Sequence, residues 1–232
     1  MTTFSRQTFA DLYDEDSGET YEDLEFVRCK FRSCALSMAH TPDTRTTVRR
    51  TTLRDCESSW CFVMSPILEE VTIDGLKSGS QPLFTQGALF HRTTLTGKFD
   101  SVVISPRADP VTYPDANGSL FDEARKEFYS RIDWALDIRH VEARSLEIYD
   151  VPAALVRRDP ETQAVVLRES AAREDSWRVL DLGETWWPEV LETMLEQDYE
   201  QAILVTPLRN RHAAAFIEGI RKLRAAGVAE PT

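Results

Sequence analysis

The feature of this 232-residue chain that most limits its fold is a period of five. In residues 24–36, LEFVRCKFRSCAL, apolar or small residues recur as pairs two apart: Leu24/Phe26, Cys29/Phe31 and Cys34/Leu36. The register returns at Thr46/Val48 and continues through Thr51/Leu53, Cys56/Ser58, Cys61/Val63, Pro66/Leu68 and Val71/Ile73. A third run reads Pro82/Phe84, Gly87/Leu89, Arg92/Thr94, Gly97/Phe99 and Val102/Ile104. Ser58, Arg92 and Thr94 fit it poorly. Neither the helical period nor the strand period of two produces this spacing. On a helix, positions five apart point about 140° away from each other, at roughly 100° per residue. A chain that turns a corner every five residues does produce it. Each side then places a large residue at its centre and a small one two before it, both inward. Four sides close a coil, and stacked coils run in parallel with the large residues in ladders. The ladder residues expected to be buried are Phe26, Phe31, Leu36, Val48, Leu53, Val63, Leu68, Ile73, Phe84, Leu89, Phe99 and Ile104.

This pattern resembles that of the pentapeptide-repeat proteins, whose repeat is roughly A(D/N)LXX. The likeness covers about residues 20–105. The central position is mostly Leu, Phe, Val or Ile. The small position is often Cys, Thr or Gly in place of Ala, and the Asp or Asn before the centre is largely missing. Ala10-Asp11-Leu12 matches the consensus closely but lies outside the runs. The resemblance implies a right-handed quadrilateral β-helix; a generic right-handed β-helix and a sandwich of short strands are the alternatives. Two segments, Ser37–Arg45 and Lys77–Gln81, interrupt the register and are expected to protrude. Loops on a repeat scaffold often carry its binding surface.

Pro106–Gly118, PRADPVTYPDANG, reads as a linker, with three prolines and Asn-Gly. The expected fold is therefore mixed: a parallel β-helix solenoid over 1–111, with an acidic cap, and a smaller α+β domain over 112–232. In the second part Phe121, Ala124, Phe128, Ile132 and Ala135 form one helical face over 120–137, behind a capping-box-like Ser119–Asp122. Ser145–Tyr149, Ala153–Arg158, Ala164–Arg168 and Trp177–Leu182 read as strands. A helix capped by Thr185 carries Trp187, Leu191, Met194 and Leu195. The strand Ala202–Thr206 follows, then a last helix capped by Asn210 and ending before Gly227. The order suggests a mostly antiparallel sheet with helices packed on it.

The net charge is −12, unevenly spread. Residues 11–25 hold eight acids and no base, which reads as a solvated arm or cap. Residues 26–105 hold seven acids and ten bases. The acidic total and the lack of aromatics among the bases argue against nucleic acid. No apolar run is long enough for a transmembrane helix, so no membrane partner is expected. The N-terminus lacks an apolar signal core, which points to the cytoplasm.

No Walker loop, G-x-S-x-G, H-E-x-x-H or G-x-G-x-x-G is present, and no cofactor is expected. Zinc would need four thiolates converging about 2.3 Å from the metal. Cys29, Cys34, Cys56 and Cys61 instead occupy the small inward position, where Cys is a compact hydrophobe. They are expected to be reduced and metal-free. The function that fits is a non-catalytic protein-binding module of adaptor or immunity type, with a basic protein partner and the option of a dimer. An enzyme with a site between the two parts is the alternative. A DNA mimic of the gyrase-protecting kind, known among pentapeptide-repeat proteins, conflicts with the basic solenoid body. The candidate binding residues are Trp186 and Trp187, as aromatic anchors, together with Arg45, Arg49, Arg50 and Arg54, and His40 in the first insertion.

Overall fold

Short strands separated by left-handed corners build the first hundred residues of the computed structural model, which describes residues 1–107, 118–173 and 175–231. Positive φ recurs at Arg6, Asp11 and Asp16, then at Asp23, Arg28 and Ser33. It recurs again at Arg50, Asp55, Trp60, Ser65, Glu70 and Gly75, and at Gly87, Arg92 and Gly97. One left-handed residue in five bends the chain and leaves a short extended side, which is the physical origin of the period.

The sides pair in parallel with sides 19 to 27 residues further on. One stack carries Phe4, Phe26, Leu53, Ile73 and Leu95 in register. A second carries Phe9, Phe31 and Ser58. A third carries Leu36, Val63, Thr85 and Ile104. A fourth carries Tyr21, Val48, Leu68 and Phe90. The rings of Phe4, Phe9, Phe26 and Phe31 pack on one another, stacked along each ladder (5.2 Å for Phe4–Phe26, 5.3 Å for Phe9–Phe31) and edge-on between ladders.

Four expectations change here. Residues 11–25 are no loose arm, because Tyr13–Glu15 and Thr20–Glu22 are strands in register with Ala35–Met38 and Thr47–Arg49. The five-residue pattern begins at Phe4, twenty residues before the run recognised in the sequence. The third run is displaced by one residue over three units. Gly87 is a corner, not an inward residue, so Phe90 rather than Leu89 aligns with Leu68, and Leu95 with Ile73. Thr85 takes the inward place given to Phe84, whose ring is 38% exposed. Finally, Ser37–Arg45 does not protrude freely. Ala39 and Arg45 are buried, and the 3-10 turn Pro42–Thr44 packs against the first helix.

That helix, α1 (Gly118–Tyr129), is followed by a long strand, Leu136–Tyr149. The strand pairs in parallel with Thr93–Ser105 from Thr93 beside Leu136 to Ile104 beside Ile148. It then pairs in parallel with Val156–Arg157 and antiparallel with Gln201–Val205, which pairs antiparallel with Gln163–Leu167. The remaining helices are α2 (Arg168–Arg173), α3 (Trp187–Glu196) and α4 (Ala213–Ala225). The chain is thus mostly parallel β-sheet with few helices. Most of the linker segment Pro106–Gly118, with the division near 112, lies outside the described residues.

The expected helix over 120–137 stops at Tyr129, because Leu136, Ile138, Val141 and Ala143 belong to a strand. Ala153–Arg158 is a strand only at Val156–Arg157; Ala153–Leu155 is a 3-10 turn. Trp177–Leu182 is not a strand. Its start lies in the 3-10 turn Asp175–Val179, where Trp177 Nε1 donates to the Ala171 carbonyl at 3.0 Å. The N-caps of α3 and α4 are Trp186 and His212, not Thr185 and Asn210, though Asn210 Oδ1 accepts the His212 N–H at 2.9 Å. Two cores result. One fills the parallel stack and reaches Leu136, Ile138 and Leu146. The other lies between the antiparallel strands and α2–α4, around Trp177, Trp187, Leu191 and Phe216.

Candidate protein-binding surface

Parallel pairing in register aligns like positions of successive strands, so outward residues form ladders. On one flank two ladders alternate in charge. Glu22, Arg49, Glu69 and His91 are direct neighbours across the strands. The corner residues Asp23, Arg50, Glu70 and Arg92 run beside them and end on Asp133. Arg49 Nε donates to Glu22 at 2.6 Å, and Arg50 donates to Glu22 and Asp23 at 2.6 and 2.8 Å. Arg54 lies 3.7 Å from Glu25 and 4.0 Å from Asp74. Hydrogen bonds from Arg49 and Arg50 hold the Glu22 carboxyl below its ordinary range, and Arg92 holds that of Asp133 down to about 2. Glu22, Asp23 and Glu25 therefore neutralise Arg49, Arg50 and Arg54, three of the four arginines expected to meet a partner.

His40 and Arg45 sit at opposite ends of the first insertion. The His40 backbone N–H donates to Asp16 Oδ1 at 2.7 Å, as does the Thr44 hydroxyl, and the His40 ring pairs with Asp16 Oδ2. These contacts, the backbone one foremost, bring Asp16 to about 2. The acid beside His40 is thus Asp16, and the ring ties the insertion to the first circuit. Arg45 is turned inward, over the ring of Phe121 on α1.

The tryptophan pair divides between core and rim. Trp187 is 1% exposed, with Nε1 donating to the Phe216 carbonyl at 3.1 Å and its ring edge-on to Phe216. The expectation that it anchors a partner is corrected by that burial. Trp186 is half-buried, 4.3 Å from the same ring. The cysteines stack as Cys29 beside Cys56 and Cys34 beside Cys61, and each thiol donates to a backbone carbonyl. Burial pushes the Cys56 and Cys61 thiols up, away from the thiolate form. Among the described residues, no three of His, Cys, Asp and Glu are grouped to hold a metal ion. A recess of about 430 Å³ is lined by Arg28, Cys29, Lys30, Asp55, Glu57 and Lys77. Its charges face one another, as in Lys30–Glu57 at 3.1 Å.

Another flank differs from these. The outward ladder of the third stack reads Tyr13, Ala35, Phe62, Phe84 and Val103. Val103 packs against the second core and Ala35 is buried between Tyr13 and Phe62, but the large side chains of the strip are uncovered. Phe62 and Phe84 are exposed, as are Tyr13 and Leu12 at the far end. Trp60, the corner preceding Phe62, is 67% exposed at φ 56°. The sequence reading missed this strip because a one-residue slip turned Phe84 inward. The signal was available in Trp60 and Phe62, large aromatics flanking the inward Cys61. No protein-family model matches the chain, and a search of curated proteins finds no significant match.

Proposed function

We propose that this chain binds another protein and performs no chemistry of its own, as an adaptor or immunity-type module. The aromatic strip carries the reading. Contiguous exposed apolar surface on a folded chain marks an interaction site. Trp60 sharpens the argument. A left-handed corner costs an L-residue roughly 1–2 kcal/mol, and a large exposed ring forgoes about 1.5–3 kcal/mol of burial. Among the described residues no ring or cation contact compensates Trp60 for either, whereas a partner's pocket would. Asp11 and Glu15 flank Tyr13, and no base pairs with them among the described residues. The partner therefore presents an apolar ridge with basic flanks.

The scaffold is best read as a right-handed quadrilateral coil over the first part of the chain, to about residue 111, joined to an α+β unit over 112–232. Four parallel stacks, corners every five residues and a twenty-residue circuit from Leu53 to Ile73 support this. The circuit lengthens to 27 where Ser37–Arg45 intervenes, from Phe26 to Leu53. Alternating charge ladders are unlike a row of phosphates and speak against DNA mimicry.

The test places a photo-crosslinking benzoylphenylalanine at position 60 and, separately, at position 50 on the charged flank. The partner captured is purified, and its affinity is measured for wild type and for Phe62→Ser/Phe84→Ser. Capture from position 60 alone and a loss of affinity of at least tenfold are expected, with association slowing as salt rises. Unchanged affinity in the double variant, or saturable turnover of a metabolite, overturns the proposal.

A further inference from the structure

We propose that Arg45 and Arg125 form a binding site for a single oxyanion group, a carboxylate or a phosphate, at the junction of the first insertion and α1. Arg45 is 6% exposed, and its guanidinium lies 4.8 Å from the centroid of the Phe121 ring. Among the described residues no carboxylate pairs with it and no carbonyl accepts from it. Its Nε is fully buried without a hydrogen-bond partner. Arg125, on α1, is also mostly buried, and its Nε is likewise unpartnered. Its other nitrogens are placed: Nη1 donates to the Asp150 carbonyl at 3.1 Å and Nη2 to Asp122 at 3.3 Å. Asp122 is shared with Arg107, 3.2 Å away. The Asp150 carboxyl is buried, is pushed up by that burial, and accepts the Gln201 N–H.

Arg45 thus lies over the Phe121 ring, near enough to Arg125 to feel its charge, and has no counter-charge among the described residues. A buried, unpaired charge is among the most expensive features a fold can hold. Stacking on Phe121 returns only about 0.5–2 kcal/mol. It also offers no acceptor to the N–H groups of the guanidinium fork. The strain registers in Arg45 itself: burial first, then the like charge of Arg125, lowers its pKa to about 10. The buried Tyr129 lies within the field of both arginines. An oxyanion supplies the missing charge and two or more acceptors in the geometry the planar fork matches. The site sits where a loop of the parallel stack meets the first helix, so its occupancy would couple the two parts of the molecule.

The experiment uses the full chain in a buffer free of oxyanions. Thermal unfolding and titration calorimetry are followed with inorganic phosphate, with acetate, and with chloride at matched ionic strength. Saturable binding of phosphate or acetate is expected, with the midpoint rising about 3–6 °C at ten times Kd. The oxyanion that binds more tightly identifies the group. Arg45→Met keeps an unbranched apolar stem and removes the charge. It should fold, lose at least tenfold in anion affinity, and unfold at the same or a higher temperature than wild type without anion. Arg45→Lys should retain part of the affinity. A response to both oxyanions no larger than to chloride overturns the proposal. So does unaltered binding in a folded Arg45→Met.

Discussion

Gly219→Ala offers a direct test of how the second core is packed. Gly219 lies inside α4, where replacing Gly by Ala ordinarily stabilises by about 0.8–1.0 kcal/mol. Here a methyl group would lie 2.8 Å from Trp187 Cδ1 and 3.1 Å from Nε1. The indole has nowhere to go, because its N–H is held by the Phe216 carbonyl and its face is set at 90° to the Phe216 ring, 5.0 Å away. Overpacking of this kind costs about 1–3 kcal/mol, and a strained indole hydrogen bond adds about 1. The propensity gain offsets roughly a third of that, leaving a net loss of about 1–3 kcal/mol. Urea unfolding followed by circular dichroism should show a lower midpoint at unchanged slope. In a Trp187→Leu background the obstacle is gone, and the same Gly219→Ala change should become neutral or stabilising. A wild-type background in which Gly219→Ala is as stable as the parent would refute the packing described.

Further outcomes follow from the corners and the insertion. Gly87→Ala should lose about 1–2 kcal/mol in urea unfolding, since φ is 67° and the new Cβ would meet Ser65 Oγ at 2.8 Å. Trp60→Gly should raise stability by about 1 kcal/mol while weakening the partner complex, and a loss of stability would show that Trp60 serves the fold. Asp16 should titrate near pH 2 by carbon-detected NMR. Its depressed pKa makes its contribution to stability complete above about pH 4, the unfolded value, and lost as pH falls from there toward about 2. A midpoint near 4 would mean that the His40 loop is not docked on it. Elemental analysis should find no stoichiometric zinc, the thiols of Cys29 and Cys56 lying too deep to react before unfolding.

The period of five was legible because corners and inward residues are both local properties. Spacing alone put Leu53, Val63, Leu68 and Ile73 into the ladders, although of these four only Leu68 is buried and the others are partly buried. The third run slipped because glycine serves two purposes, as a small inward residue and as a left-handed corner. Gly87 and Gly97 look identical to a pattern and differ only in φ. Residues 4–22 escaped notice because the third side of that circuit centres on polar Asp14, which accepts from the Ser37 N–H and the Thr46 hydroxyl. No periodicity encodes such a bond. The pairing of Thr93–Ser105 with Leu136–Tyr149 was equally out of reach, being a contact between segments forty residues apart. The candidate surface was read in the wrong currency. Charged residues drew attention by type, yet Arg49, Arg50 and Arg54 are neutralised by acids on the paired strands, which are set by register rather than by sequence proximity.

The unequal lengths of the strands bear on how the molecule opens. Sides of three or four residues hold the first circuits together, each through a few hydrogen bonds to one neighbour, whereas Thr93–Ser105 and Leu136–Tyr149 are joined along nearly their whole length. Short strands held at one edge can open locally without waiting for the rest. Amide protons of residues 2–22 should therefore exchange through local opening, and those of Leu95, Val102, Leu146 and Ile148 only through global unfolding. The gradient between them would run strand by strand, each step delayed by the one behind it.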